Sequence, residues 1–310
     1  MKEPYYTKSP VLFLIFNRPD VTRLVFEEIR IAKPQILYLA ADGPRKERET
    51  EINTCKQTRE IINLIDWPCE VKTLFREENL GCKYAVSSSI DWFFQNEEEG
   101  IILEDDCLPN NDFFFFCDIM LERYRHDTRI RHITGCNLQH GKKWGSDTYY
   151  FSRNIHVWGW ASWKRVWQDY DVELSRYNIG EVEAQFFKIF DEPLLVKSWK
   201  EIFINLKAGV IDTWDYQLGI SNYFNNGVCI IPNYNLISNL GFGKEGTHTL
   251  NADDPHANIP LENLPCVINN PKYFLPIKEA DNFILFRDFN VLKRKSKLKY
   301  KIKKILRLKL

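Results

Sequence analysis

Gly100-Ile101-Ile102-Leu103-Glu104-Asp105-Asp106-Cys107-Leu108-Pro109 carries three apolar residues straight into three consecutive carboxylates, and its proline bars continuation as a central strand. The pattern predicts a buried strand with an acidic end. Three like charges against an apolar core repel one another and are costly to desolvate; a cation relieves both, and carboxylate oxygens are the ligands Mg2+ and Mn2+ prefer. The segment by itself leaves two readings open: a divalent-metal site facing a phosphate-bearing substrate, or a solvated acidic turn.

Upstream, Val11-Leu12-Phe13-Leu14-Ile15-Phe16 is a continuous apolar run bounded by Pro10 and Asn17-Arg18-Pro19, the pattern of a strand buried on both faces. Asp20 is placed to cap a following helix with an apolar stripe of Val21, Leu24, Val25 and Ile29. A second strand over 35–40 leads into Ala41-Asp42-Gly43-Pro44. A helix over 45–65, a strand over 71–75, a loop from Arg76 to Gly81 and a helix over 84–94 bring the chain to the acidic motif. Three βα units in the first hundred residues predict an α/β fold with a doubly wound or related open sheet, and ligands outside the carboxyl ends of its strands.

Downstream, Phe113–Phe116 opens a helix running through Tyr124, a strand is expected over 129–135, and residues 137–157 read as a polar connection. Trp158, Trp160 and Trp163 place three of nine tryptophans within six residues. They suit either core packing or a platform for the apolar face of a sugar ring, with Gly159 permitting close approach. Two helices are expected around Pro193, then a helix over 218–224 capped by Thr213 or Asp215, and a strand over 228–232. Gly241-Phe242-Gly243-Lys244-Glu245-Gly246-Thr247-His248-Thr249 reads as a lid, with Lys244 to seek phosphate and His248 as a metal or phosphate contact.

The 310 residues include 21 Phe, 14 Tyr and 9 Trp, an aromatic content suited to carbohydrate or base stacking as well as to a core. Net charge is zero but uneven: residues 293–309 hold ten Lys or Arg and no acid, leaving 32 basic against 42 acidic residues elsewhere. The mildly acidic body argues against nucleic acid as a partner. In the tail, Leu298, Ile302, Ile305 and Lys309 fall at helical spacing among lysines, which favours a basic amphipathic helix on an anionic membrane surface over a disordered, solvated tail or a tail that meets a polyanion. Eight scattered cysteines without a C-x-x-C pair, and no leader pattern at the start, predict free thiols in a reducing cytoplasm, and the basic tail would hold such a protein peripherally on the inner face of the cell membrane. No apolar run approaches the roughly 20 residues of a spanning helix. A Walker loop, a Rossmann glycine fingerprint, a nucleophile elbow and zinc spacing are all missing.

Glu104-Asp105-Asp106, Asp112-Phe113-Phe114, Trp158-Gly159-Trp160, Trp214-Asp215, and Cys229-Ile230-Ile231-Pro232 with Phe242-Gly243-Lys244-Glu245-Gly246 occur in that order. Together they resemble the GT-A type nucleotide-diphospho-sugar transferases, in particular the N-glycan-branching N-acetylglucosaminyltransferases and their bacterial relatives, from about residue 9 to about residue 250. The resemblance implies an α/β fold with a GT-A-like open mixed, mostly parallel sheet flanked by helices, and a UDP-sugar donor. It implies that Asp106 binds Mn2+ (or Mg2+), that Glu104 and Asp105 position nucleoside and sugar, and that Arg18 and Asp42 hold base and ribose. Lys83 stands where the family carries a nucleotide-facing histidine. Asp215 is implied as catalytic base, with Tyr216 where the family has a second acid, and the Phe242–Gly246 loop as one that orders over the donor.

The expectation is therefore a metal-dependent glycosyltransferase that inverts the anomeric centre, acting on a glycan or lipid-linked saccharide in surface polysaccharide or glycan synthesis. Trp158, Trp160 and Trp214 would line the acceptor or sugar pocket. Residues 1–250 would form the catalytic domain, with a nucleotide-binding half over about 9–110 and an acceptor half over about 111–250. Residues 251–290 would wrap it irregularly and 291–310 would form the tail. Two other classes stay open: a noncatalytic carbohydrate-binding protein, and a metal-dependent phosphatase or nucleotidyltransferase.

Overall fold

The computed structural model describes residues 3–242 and 254–297. Its first half builds β1 (Val11–Ile15), α1 (Pro19–Ala32), β2 (Ile36–Ala41), α2 (Glu49–Arg59), β3 (Glu70–Phe75), α3 (Gly81–Asn96), β4 (Glu99–Glu104), β5 (Cys107–Pro109) and α4 (Asn111–Tyr124). There follow β6 (Ile130–Thr134), β7 (Tyr149–Ser152), β8 (Trp160–Trp163), α5 (Lys164–Trp167), α6 (Ile179–Ile189), α7 (Pro193–Lys207), α8 (Asp215–Phe224), β9 (Val228–Pro232), β10 (Ile237–Asn239) and α9 (Lys278–Asp288).

Among the described residues, eight strands form one sheet in the order β3-β2-β1-β4-β8-β6-β9-β7. The pairings β3-β2, β2-β1, β1-β4 and β6-β9 are parallel; β8 runs antiparallel to both its neighbours and β7 antiparallel to β9. This is the open mixed α/β sheet expected from the sequence. The unbroken apolar runs follow from its two covered faces. Val11, Phe13 and Ile15 pack with Val25 and Phe26 of α1 and Phe113 of α4, whereas Leu12 and Leu14 pack on the other face with Ile90 and Phe93 of α3. Successive strand residues point to opposite faces, so a strand covered on both sides must be apolar at every position.

The acidic motif ends β4 as predicted. Pro109 does not stop pairing altogether: β5 leaves the main sheet and pairs antiparallel with β10, setting Cys107 opposite Asn239. Asn110 caps α4 by accepting Phe113 N–H at 3.1 Å, and Phe113, Phe114 and Phe116 are all fully buried. Asp118 of the same helix accepts Tyr5 O–H (2.8 Å), Lys8 N–H (2.8 Å) and Thr7 O–H (3.0 Å), which ties the N-terminal segment to the core.

Several local expectations are corrected. Pro19 opens α1, Arg18 occupies the capping position, and Asp20 sits inside the first turn. The buried stripe is Thr22, Val25, Phe26, Ile29 and Ala32, which keeps Val25 and Ile29 of the stripe read but is rotated from it, so that Leu24 is exposed and Phe26 faces the sheet. Trp214 takes the capping position of α8 without a side-chain bond; Thr213 O–H donates instead to Asp215 Oδ1 at 2.5 Å. The polar connection of 137–157 contains β7, whose aromatic residues gain burial only once β9 and α4 are beside them. Residues 278–288, expected to be irregular, form α9, because Ala280, Ile284 and Leu285 find apolar cover on the body.

A separate cluster joins α6, α7 and α8 through Phe186, Trp199, Phe203 and Tyr223, and Leu285 and Val291 of the C-terminal segment enter it. All eight cysteines are free. Among the described residues no helix is long and apolar enough to cross a membrane. The predicted lid with Lys244 and His248, and the tail from residue 298, lie outside the described residues.

Candidate functional site

In-register pairing brings Ile15 beside Ala41 and Leu14 beside Glu104, so β1, β2 and β4 end together. The chain departs from β1 to one neighbour and arrives at the other by way of β3 and α3. The resulting crevice at the carboxyl ends is where open α/β sheets bind ligands. A cleft of about 530 Å³ lies there, lined by Arg18, Asp42, Glu104, Asp105, Asp106, Asn239 and Asp215.

Pro19 shapes the first contact. A residue before proline is pushed out of the helical region, and Arg18 has φ −119° and ψ 75°. Its Nη2 donates to Asp106 Oδ2 at 2.9 Å and to Asp105 Oδ1. Burial opposes the charge on Arg18, but the two carboxylates outweigh it and raise its pKa. Asp105 is buried, and this, with the charge of Asp106, pushes its carboxyl up to about 6 against the pull of Arg18. Glu104 is raised well above the usual carboxylate range, first by burial and then by Asp106, Asp105 and Asp215. Asp105 Oδ2 is buried without a hydrogen-bond partner.

β10 delivers the chain to this cluster. Leu240 N–H donates to the Asp106 carbonyl at 2.8 Å, and Gly241 N–H to Asn239 Oδ1 at 2.8 Å. A Cβ at Gly241 would lie 2.0 Å from Asp106 Oδ2, so only glycine passes the carboxylate this closely.

Asp42 lines the cleft, but its carboxylate is committed to the next loop. It accepts Gly43 N–H (2.9 Å), Leu80 N–H (3.0 Å), Gly81 N–H (3.2 Å) and Asn79 Nδ2 (2.9 Å), fixing the start of α3. Burial raises its pKa over the opposing effect of those backbone donors.

Two expected contacts are not where the sequence put them. Lys83 is buried, does not line the cleft, and pairs its Nζ with Glu173 at 2.9 Å, because the first turn of α3 points it toward residue 173. Trp160 is 1% exposed and belongs to the core on the α3 side: its place in β8 opposite Ile102 sends the indole inward, where it stacks on Trp214 with centroids 5.8 Å apart. Gly159, read as permitting approach to a sugar, has φ +60°, and a Cβ there would strike Ile237 at 2.4 Å; packing requires the glycine. Trp158 and Trp214 do line the cleft, the latter largely buried behind it.

Asp212 is a cleft residue the sequence reading missed: it accepts Lys83 N–H at 3.2 Å and lies just before Asp215. Two acids three positions apart at a helix entrance were the available signal. Asn239 was likewise passed over, because nothing local marks β10 as a partner of β5.

For Mn2+ or Mg2+ the donor set is suitable in kind: carboxylate oxygens at a strand end, one of them buried and unpartnered, with room in the cleft for a ligand's own oxygens. Among the described residues no three His, Cys, Asp or Glu side chains are grouped to hold an ion. The residues therefore fit binding shared between one or two carboxylates and a substrate phosphate.

No family model and no curated protein matches the chain. Among solved structures it is similar to HddC from Yersinia pseudotuberculosis, at 13% identity and TM-score 0.31 over 52% of this chain and 80% of that one. It is similar to a UDP-glucose pyrophosphorylase complexed with UDP-glucose, at 13% and 0.30 over 52% and 71%. It is also similar to the 4-diphosphocytidyl-2C-methyl-D-erythritolsynthase of Anaerococcus prevotii DSM 20548, at 12% and 0.33 over 59% and 83%. These identities and scores are too low to carry a function across.

Proposed function

We propose that the protein transfers a glycosyl group from a nucleoside-diphosphate sugar, with uridine as the nucleoside, to an acceptor hydroxyl, inverting the anomeric centre. The observation that supports this most directly is that the acidic end of β4, bridged by Arg18, and Asp215 at the start of α8 line one cleft, with Asp215 near enough to Glu104 for its charge to be felt there. Charge neutralisation for a leaving diphosphate and a base for an incoming hydroxyl are the two services the reaction needs, and the same cleft offers a group for each.

In this reading Asp106 would hold Mn2+ or Mg2+, which when bound neutralises charge on the diphosphate. Arg18 turns its guanidinium to the same phosphates, Glu104 and Asp105 orient nucleoside and sugar, and the ordered loop behind Asp42 receives base and ribose. Asp215 takes the proton of the acceptor hydroxyl as its oxygen bonds to the anomeric carbon. The electron pair of the broken bond departs with the diphosphate. Trp158 and Trp214 keep water from the sugar. Lys244 and His248 are proposed to close on the diphosphate from the lid. The nucleotide-binding and acceptor halves, a glycan or lipid-linked acceptor, a place in surface polysaccharide or glycan synthesis, and a cytoplasmic, peripheral location with residues 293–310 on anionic lipid belong to the same proposal.

Calorimetric titration with UDP, in Mn2+ and in chelator, tests the donor site. Binding lost in chelator and in Asp106→Asn, but retained in Asp215→Asn with transfer abolished, is the expected result. Equal loss of UDP binding in both variants would overturn the division of roles, and a product retaining the donor's anomeric configuration would overturn inversion. Release of free phosphate or pyrophosphate without an acceptor would favour the phosphatase or nucleotidyltransferase class. Flotation with anionic vesicles tests the tail.

A further inference from the structure

A second chamber of about 270 Å³ adjoins the cleft and shares Val157, Trp158, Asp215 and Tyr216 with it. Its far wall is made by Ile284, Leu285 and Asp288 of α9, together with Phe289. These residues lie some thirty or more positions beyond the stretch that resembles known transferases.

The chemistry of the walls is specific. Trp199 and Tyr216 meet edge to face with centroids 5.8 Å apart, and Phe289 lies 5.9 Å from Trp199, so the chamber offers aromatic surface for the C–H face of a ring. Trp199 and His156 line the chamber, and Trp199 Nε1 and His156 Nε2 are buried without a hydrogen-bond partner. Such atoms are expensive unless a ligand hydroxyl meets them. Asp288 is held at the rim: Arg287 Nε donates to its Oδ1 at 2.9 Å, while Arg287 is anchored by Nη1 on the Leu138 carbonyl (2.8 Å) and Nη2 on His256 Nε2 (2.5 Å). Asp215 lines both spaces, so a hydroxyl held in this chamber has the proposed base in its wall.

We propose that this chamber is the acceptor subsite, that it takes a single pyranoside unit, and that the C-terminal helix, through Asp288, selects which hydroxyl is presented; the catalytic part rests on the transferase reading above. Aromatic faces, two unpartnered ring nitrogens and a fixed carboxylate around a space this small match one hydroxylated ring. An extended oligosaccharide would have to leave its remaining units in solvent.

The test uses the full chain and ligand-observed saturation-transfer NMR with the methyl glycosides of glucose, galactose, mannose and N-acetylglucosamine. Gly219 of α8 supplies the blocking variant. A Cβ there meets Trp199 and Ile155 only at ordinary contact distances of 3.6 and 3.8 Å, and a longer side chain extends into the chamber. Leucine is also a better helix former than glycine. The expected result is that one glycoside binds the native chain, that Gly219→Leu removes the signal, and that Asp288→Asn weakens it about tenfold, with UDP affinity in Mn2+ the same in all three.

A glycoside that binds all three chains equally would overturn the assignment, as would no glycoside binding a chain that binds UDP. Glycoside binding lost in Gly219→Leu, in a chain that never binds UDP, would keep the saccharide site and sink the transferase reading instead.

Discussion

Arg18 donates through one nitrogen, Nη2, to Asp106 Oδ2 at 2.9 Å and to Asp105 Oδ1, so one guanidinium is the cation that lets the acidic end of β4 exist in the folded chain. Asp105 is almost wholly buried and Arg18 mostly so. Removing one partner of such a pair leaves uncompensated charge, at a cost of about 3 kcal/mol. Arg18→Ala is therefore expected to lower stability by about that amount in urea unfolding at pH 7.5 without divalent metal. If Asp106 binds an ion, millimolar Mn2+ recovers part of the loss and chelator abolishes the recovery. A loss under about 1 kcal/mol would mean that the carboxylates are solvated well enough to need no partner.

Gly241 controls the same carboxylate from the other side. A methyl group there would lie 2.0 Å from Asp106 Oδ2 and 3.2 Å from Arg18 Nη1, and the carboxylate is the part able to yield. Gly241→Ala is expected to keep the fold and to weaken UDP binding in Mn2+ by about tenfold, the equivalent of about 1.4 kcal/mol. Calorimetry compared with the native chain reads this directly. Unchanged affinity would show that the position of Asp106 is unimportant to the ligand.

The two neighbouring tryptophans should separate cleanly. Trp160 is a core residue, and Trp160→Ala is expected to cost about 3–5 kcal/mol or to prevent folding. Trp158 is partly exposed between the cleft and the chamber, with the Phe242 ring 5.6 Å away. Trp158→Ala should fold, with a smaller loss of stability and weakened glycoside binding. Thermal melting followed by ligand-observed NMR distinguishes the two roles.

Two buried histidines set an acid limit on the fold. Burial lowers His132 from 6.5 to about 4, and His156 to about 3, where burial is the main cause and the neighbouring His132 adds to it. A histidine whose folded pKa is depressed binds fewer protons folded than unfolded. Its contribution is complete above pH 6.5 and is lost as pH falls toward the folded pKa. For His132 the window runs from 6.5 to about 4 and the loss is about 3 kcal/mol. Urea unfolding free energies at pH 7.5, 5.5 and 4.5 should fall steadily, and a flat profile would mean that these imidazoles protonate without resisting the fold.

Much of the architecture was legible because it is written locally. The uninterrupted apolar run of 11–16, the acids after Ile101-Ile102-Leu103, and the phenylalanines of 113–116 report burial on one or two faces at the residues themselves. They placed β1, β4 and α4 within a residue or two. The acidic strand end was chosen on the same local grounds, whereas Arg18 and Asp215 were chosen through the family resemblance, and all of them line one cleft.

What the linear chain could not settle was which way each side chain faces once distant strands arrive. Trp160 points into the core because β8 lies antiparallel to β4 and pairs it with Ile102. Lys83 leaves the cleft because α3 turns it to Glu173. Gly241 and Asn239 approach Asp106 only because β10 pairs with β5, more than a hundred residues away in sequence. The amino-acid sequence determined the period and burial of each element and the chemistry available to it. The direction of a side chain and the company it keeps depend on the register between elements, which is an energy of many simultaneous contacts and has no signature within any single segment.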